Sequence, residues 1–149
     1  MTQQSPIVLN LNDLSRVVLR DKCSYIGGWV NGVNLNSVAD NSFTVDLSAG
    51  INLWRMHSLL VLNTGTTASL TTAQFGLFSA ASGGGSALIS SGTALSAITS
   101  NAVNTAVNMA VFNPANPIAW NFTTLYFRVT QPQGASATGN IYLLIEPLP

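Results

Sequence analysis

Short runs of alternating apolar and polar residues recur along this chain, separated by Gly, Asn, Ser and Pro. In the clearest run, Leu125, Phe127 and Val129 alternate with Tyr126 and Arg128. Because successive side chains of a β-strand point to opposite faces, this period of two predicts a strand with Tyr126 and Arg128 pointing outward. About eight to ten runs of this kind, with little helix between them, predict an all-β fold.

The loops between the predicted strands differ in length. An up-and-down barrel has more uniform hairpins, so unequal loops favour an antiparallel β-sandwich of the jelly-roll type, with at most one short helix. A chain of 149 residues is the size of one domain. We expect a single β-sandwich domain over residues 14–149, preceded by an extended N-terminal arm over residues 1–13.

Turn residues predict where the chain reverses. Asn31-Gly32 follows Trp29 and Val30 and predicts a hairpin turn, because both residues tolerate a positive φ. The three glycines at 83–85 predict a second turn, after which residues 87–89 return as a strand. Residues 93–112 fit both helical and strand spacing. Their Thr and Asn content favours a short helix at about 93–99, followed by a strand at about 105–112.

The longest predicted strand, Leu53–Leu62, is apolar on both faces. This pattern indicates burial on two sides, or burial on one side and a partner on the other. The strand around Phe127 is predicted to pair with Ile141–Ile145 through the polar loop 131–140. Pro147 cannot donate to a sheet ladder, so the last strand is expected at a sheet edge.

The composition predicts a surface with unusually few charged residues. Charged residues make up 7 % of the chain and apolar residues 47 %, with a mean hydropathy of +0.35; an ordinary domain has about 25 % charged residues. Five basic residues and zero net charge argue against nucleic-acid binding, and the high apolar content argues against disorder. The uncharged polar side chains of Ser, Thr and Asn are expected to interact with water in place of charged side chains.

Eight of the ten charges lie between Asp13 and Arg55. A protein with so little charge tends to associate, so we expect the second half to face other protein and the charges of the first half to lie nearer to solvent. The alternative is a secreted or environmental β protein that relies on hydroxyl and amide groups for solubility.

The sequence predicts neither a signal peptide nor a membrane span, and therefore synthesis in the cytoplasm. Cys23, the only cysteine, cannot form an intrachain disulfide and is expected to fill core space.

Candidate chemical groups occur singly. His57 is the only histidine and has no neighbouring carboxylate to orient it, so a structural or interface role is favoured over a catalytic triad. A strand is also predicted at 43–47. Asp40 precedes it and Asp46 lies near its end, but the two carboxylates show no pairing of the kind a glycosidase needs. The glycines at 83–85 lack the Lys and Ser or Thr of a phosphate-binding loop. We therefore expect no enzyme activity, no cofactor and no metal site.

The segments AQFGLFSAASGGGSAL (Ala73–Leu88) and LYFRVTQPQGASATGNIYLLIEPLP (Leu125–Pro149) are joined by a stretch rich in Thr, Ala and Asn. This half of the chain resembles capsid decoration (cement) proteins of tailed bacteriophages. The resemblance implies a jelly-roll-like virion protein that binds the outer surface of the capsid and stabilises the lattice of the major capsid protein. It would be made in the host cytoplasm and end on the capsid exterior.

In such a role the arm is expected to lie on a neighbouring subunit and add a strand to an exposed sheet edge. The chain is also expected to form a homodimer or homotrimer, without nucleic-acid or membrane partners. The expected contact residues are Ile7, Val8, Leu9, Leu11, Trp54, Tyr126 and Tyr142. The alternative function is a carbohydrate-binding or receptor-binding jelly-roll module of a phage particle, which would need an exposed aromatic residue flanked by Asn and Asp in a concave site.

Overall fold

Strands make up most of the chain in the computed structural model, which describes residues 25–47, 50–111 and 118–148. Two 3-10 turns, Ala81–Gly83 and Ser100–Ala102, complete the regular elements. The strands are β1 (Tyr25–Asn34), β2 (Asp40–Thr44), β3 (Leu53–Thr66), β4 (Gln74–Ala80), β5 (Gly84–Ala94), β6 (Ala106–Val111), β7 (Thr124–Gln131) and β8 (Ala137–Leu148). None of the described segments forms a helix with the length and apolarity to cross a membrane.

The strands form two antiparallel four-stranded sheets. The front sheet has the order β1-β8-β3-β6 and the back sheet the order β2-β7-β4-β5. The pairs are nested, since β1 pairs with β8, β2 with β7, β3 with β6 and β4 with β5. This is the strand order of the eight-stranded jelly roll, so the predicted all-β sandwich is confirmed. The arm over residues 1–13 and Cys23 lie outside the described residues.

The core lies between the inner faces of the two sheets. The alternation in β7 is confirmed, because Leu125, Phe127 and Val129 are buried while Tyr126 and Arg128 point outward and are half-buried. The ring of Phe127 stacks on that of Phe75 with centroids 5.1 Å apart and an angle of 20° between planes. Offset stacking of this kind adds to the gain from burial alone.

The predicted pairing of β7 with β8 is wrong. β7 pairs with β2 and β4 in the back sheet, whereas β8 pairs with β1 and β3 in the front sheet. Residues 132–136 carry the chain from one sheet to the other, so the two strands lie in opposite sheets of the sandwich. A short polar loop permits a hairpin but does not require one, because sandwich connections also cross between sheets.

The edge position expected for the last strand is also wrong, since β8 lies inside the front sheet. Pro147 is opposite Trp54 of β3, and the described part of β1 pairs with β8 only as far as Ile145. Pro147 therefore lies at the end of the ladder, where one described strand flanks it. This position tolerates a residue without an N–H.

Asn31-Gly32 does not form the predicted hairpin turn. β1 continues through it to Asn34, and the register with β8 shifts between Val30 and Val33. Gly32 has a positive φ of 69°, as expected for glycine. This conformation occurs in a β-bulge and not in a hairpin turn. The Gly32 N–H donates to Asn140 Oδ1 at 2.9 Å, which keeps β1 attached to β8 across the irregularity.

The second half matches its predictions in part. The turn at the glycines 83–85 is confirmed as the β4–β5 connection, and the strand expected at 105–112 is confirmed as β6. The helix expected at 93–99 is wrong, because β5 runs to Ala94. Leu95 and Ile98 are both fully buried. Backbone bonds to residues 70 and 73 hold them there, Leu70 N to Ile98 O at 3.0 Å and Leu95 N to Ala73 O at 2.8 Å.

Candidate interaction surface

The front sheet carries apolar side chains on the face that points away from the core. Trp29 of β1 is opposite Tyr142 of β8, which is opposite Leu60 of β3. Directly opposed residues of antiparallel strands share a sheet face, so these side chains form one row. In the adjoining rows, Leu144 pairs with Ile26 and Leu62 pairs with Asn140. We call this surface the outer face; its apolar residues are Ile26, Trp29, Leu60, Leu62, Tyr142 and Leu144.

The outer face forms a second apolar layer beyond the core. Ile26 is only 8 % exposed, although it lies on an edge strand and does not belong to the core cluster. Trp29 is 38 % exposed, and Leu60, Leu62, Tyr142 and Leu144 are half-buried. Single exposed apolar residues are ordinary, but a contiguous row on one sheet face indicates a contact surface.

The two ends of the outer face are polar. At one end Arg55 Nε donates to Glu146 Oε2 and Arg55 Nη2 donates to Glu146 Oε1, both at 2.7 Å. The hydrogen bond to Glu146 raises the pKa of Arg55, with a smaller opposing effect of desolvation. At the other end the Thr64 hydroxyl donates to the Thr138 hydroxyl at 3.0 Å. Among the residues that the structure describes, the charges on this face form one opposite pair, so the described face has no net charge.

The back sheet presents a different outer surface. Phe78 points outward there but is only 4 % exposed. A Cβ at Gly76 would lie 2.5 Å from the Phe78 Cζ atom, and a Cβ at Gly83 would lie 3.8 Å from it. Phe78 thus lies against two glycines, one of them in the 3-10 turn that joins β4 to β5. The chain covers this aromatic ring with its own backbone.

An ion pair helps to hold the turn that covers Phe78. Arg128 Nη1 donates to Asp40 Oδ1 at 2.8 Å, and the Ser82 N–H donates to Asp40 Oδ2 at 2.7 Å. Burial raises the pKa of Asp40, but the hydrogen bonds from Arg128 and Ser82 and the charge of Arg128 outweigh this effect and lower it. Ser82 has a positive φ of 59°, so Asp40 holds a strained turn in place.

The contact residues expected from sequence do not form one site. Tyr142 lies on the outer face of the front sheet and Tyr126 on the outer surface of the back sheet, so they belong to opposite sides of the sandwich. Trp54 is 0 % exposed, which corrects its expected place on a contact surface. Its Nε1–H donates to the Phe122 carbonyl at 3.0 Å. The expected arm contacts Ile7, Val8, Leu9 and Leu11 lie outside the described residues.

The sequence indicated about half of the outer face. The signals were the apolar character of both faces of Leu53–Leu62, which contains Leu60 and Leu62, and Tyr142, which was among the expected contact residues. Trp29 was noted only as a residue before the turn expected at Asn31-Gly32. Ile26 and Leu144 join the surface through pairing with one another, and such pairing is a property of the folded sheet.

The described polar groups serve mainly to hold loops. Asn63 is fully buried; its Nδ2 donates to the Thr99 carbonyl at 3.1 Å and its Oδ1 accepts from the Thr66 hydroxyl at 2.6 Å. Asp46 is exposed, whereas Asp40 is engaged by Arg128. Among the side chains that the structure describes, no three His, Cys, Asp or Glu residues lie close enough together to hold a metal ion.

Comparison with protein families, with curated protein sequences and with solved structures finds no match to this chain. Any inference about function therefore rests on the surface of the chain itself. That surface offers a neutral apolar sheet face with polar ends, an arrangement suited to contact with another protein surface.

Proposed function

We propose that this chain is a structural virion protein that binds the outer surface of a phage capsid and stabilises the lattice of the major capsid protein. The observation that carries the proposal is the neutral, apolar outer face of the front sheet. Burial of such a face against protein gains about 25 cal/mol for each Å² of apolar area. A decoration protein makes contacts with the capsid and between its own copies, and the outer face supplies area for protein contact of this kind.

Two further features support a structural role. The jelly-roll order is an architecture used by viral capsid domains and by lectins. The resemblance of residues 73–88 and 125–149 to phage decoration proteins favours the first of these. In this proposal the arm over residues 1–13 attaches the protein to the capsid, because its alternating apolar residues suit addition to an exposed sheet edge. Many copies on one shell would add avidity.

A carbohydrate-binding role is the second candidate, and one observation favours it. Trp29 and Tyr142 are cross-strand neighbours on the outer face, and Asn140 lies in the next row with its Oδ1 accepting from Gly32. Exposed aromatic rings beside amide groups can stack on sugar rings and bind their hydroxyls. In that case a single sugar would lie over Trp29.

The proposed function is tested by coexpression with the major capsid protein encoded in the same genome. Shells are purified on a density gradient, and the bound chain is measured against the chain with residues 2–12 deleted. We expect saturable binding of the full chain, shells that resist heat better, and loss of both effects with the deletion. Absence of the full chain from the shells would overturn the proposal. Binding of a defined glycan on an array, abolished by Trp29→Ala, would favour the second candidate.

A further inference from the structure

The size and chemistry of the outer face favour one kind of partner, a second copy of this chain. We propose that this face joins two copies of this chain, front sheet against front sheet, in a two-fold symmetric dimer. The inference rests on the proposed function only in taking the outer face as a protein contact surface. Capsid attachment is assigned to the arm, so the two contacts use different parts of the chain.

The size of the face fits one such partner. The front sheet has four strands of 10, 12, 14 and 6 residues. At about 3.3 Å per residue and about 4.8 Å between strands, these cover a rectangle of roughly 35 by 19 Å, or about 650 Å² in projection. A stable interface buries about 800 Å² of accessible surface on each partner. Since side chains make the accessible area larger than the projection, one sheet face supplies an interface of standard size.

The chemistry of the face is self-complementary. The row about halfway along its strands holds Trp29 on the edge strand β1, Tyr142 on β8 and Leu60 on β3. Aromatic residues of this kind anchor interfaces. The charges, Arg55 and Glu146, already form a bidentate pair at one end. In a two-fold dimer each copy offers the same patch to the other, and stacking two neutral faces buries no uncompensated charge.

The back sheet does not offer an equivalent surface. Its exposed outward residues include Ser42, Thr44 and Thr124, which are small and polar. Its one large apolar ring, Phe78, is covered by the chain's own turn. The asymmetry between the two sheets therefore assigns self-association to the front sheet. It also provides matched controls, since Tyr126 and Tyr142 are half-buried tyrosines on opposite surfaces.

Sedimentation equilibrium of the full chain, without capsid, tests the dimer. Over about 1 to 200 µM, which brackets moderate dissociation constants, we expect the wild type to shift from monomer to dimer as its concentration rises. Trp29→Glu should weaken the dimer by at least about 100-fold, because it places an unpaired charge within the interface. Thr124→Glu adds the same charge to the back sheet and should leave the dissociation constant unchanged. A wild type that stays monomeric throughout, or equal weakening by both variants, would overturn the inference.

Hydroxyl-radical footprinting of the wild type provides a test that does not depend on a variant folding. As the concentration rises through the dimer range, labelling of Trp29 and Tyr142 should fall several-fold while labelling of Tyr126 stays constant. Protection of Tyr142 that is independent of concentration and disappears when residues 2–12 are deleted would overturn the dimer and assign the face to the chain's own arm. Loss of capsid binding with an intact dimer would contradict the proposed function alone.

Discussion

Arg55 and Glu146 face each other directly across β3 and β8 and are joined by two hydrogen bonds of 2.7 Å. Arg128 and Asp40 are likewise opposed across β7 and β2. The two charged residues that follow Met56 thus both take partners from the first half of the chain. Side-chain exposure is 30 % and 23 % for the first pair and 24 % and 22 % for the second, so these first-half charges do not lie decisively nearer to solvent.

Removal of one charge from the Arg55–Glu146 pair should lower the stability of the fold only slightly. The size of this loss should depend on the salt concentration. Glu146→Gln keeps the shape of the side chain but replaces the charged bidentate acceptor with an amide. Because both partners are partly solvated, we expect the melting temperature to fall by only a few degrees at low salt and by less at high salt. Thermal unfolding at the two salt concentrations measures this.

The control is the exchanged pair Arg55→Glu with Glu146→Arg. If the attraction between the charges matters, the double variant should recover part of the loss caused by either single variant. An additive loss in the double variant would show that the two side chains act independently.

Asp40 should make stability depend on pH. Its pKa in the folded chain is lowered from the ordinary value of 3.8, so its contribution is fully present above that value and is lost as the pH falls through the lower folded pKa. Asp40→Asn should reduce the free energy of unfolding by about 1 to 2 kcal/mol near pH 7 and have a smaller effect at about pH 2, because protonation of Asp40 removes its charge.

Urea unfolding at both pH values checks this, with Asp46→Asn as the control because the Asp46 side chain is exposed. An equal effect of Asp40→Asn at both pH values would show that the carboxylate charge is not what holds Ser82.

The elements that sequence predicted well depend on local pattern. The strand around Phe127 and the long strand that begins at Leu53 are both set by alternation or apolar content within a few residues. Strand partners are different, because a pairing depends on which distant strand fills the neighbouring place. β8 was expected to pair with β7, but it pairs with β1 and β3. The residue pattern of either strand alone could not reveal this difference.

The same limit applies to the outer face. Its two leucines, Leu60 and Leu62, were signalled by a strand with two apolar faces, but its aromatic members come from β1 and β8. Asn31-Gly32 shows the related ambiguity in turns. The positive φ of Gly32 was predictable from its residue type, whereas its use in a bulge depends on β8 remaining paired on both sides of it.

A methyl group at Gly28 should destabilise the corner where β1 approaches β2. A Cβ there would lie 2.7 Å from Phe43 Cδ2 and 2.8 Å from the Thr44 carbonyl oxygen, and the backbone oxygen cannot rotate away. We expect Gly28→Ala to lower the free energy of unfolding by about 1 to 3 kcal/mol. Gly65→Ala is the control, because among the described residues the one near neighbour of such a Cβ is Thr138 Oγ1, a side-chain atom, at 3.2 Å. Equal losses in urea unfolding would contradict the steric explanation.

Substitutions at Trp54 and Trp29 should have separate effects, one on the stability of the fold and the other on association of the chain. Trp54 is buried, its Nε1–H donates to the Phe122 carbonyl, and its backbone exchanges bonds of 2.9 and 2.7 Å with Trp120. Trp54→Phe keeps the backbone bonds but removes the indole donor and leaves a small cavity. It should lower the free energy of unfolding by about 1 to 3 kcal/mol without changing the dimer dissociation constant.

Trp29→Phe makes the same chemical change on the outer face, where the ring is 38 % exposed. It should barely alter urea unfolding of the monomer but should weaken the dimer about tenfold, since an interface anchor loses contact area. Unfolding and sedimentation equilibrium on both variants check the pair of predictions. If Trp54→Phe weakened association while stability stayed constant, the buried tryptophan would have to reach the surface in solution, and the division between core and outer face would be wrong.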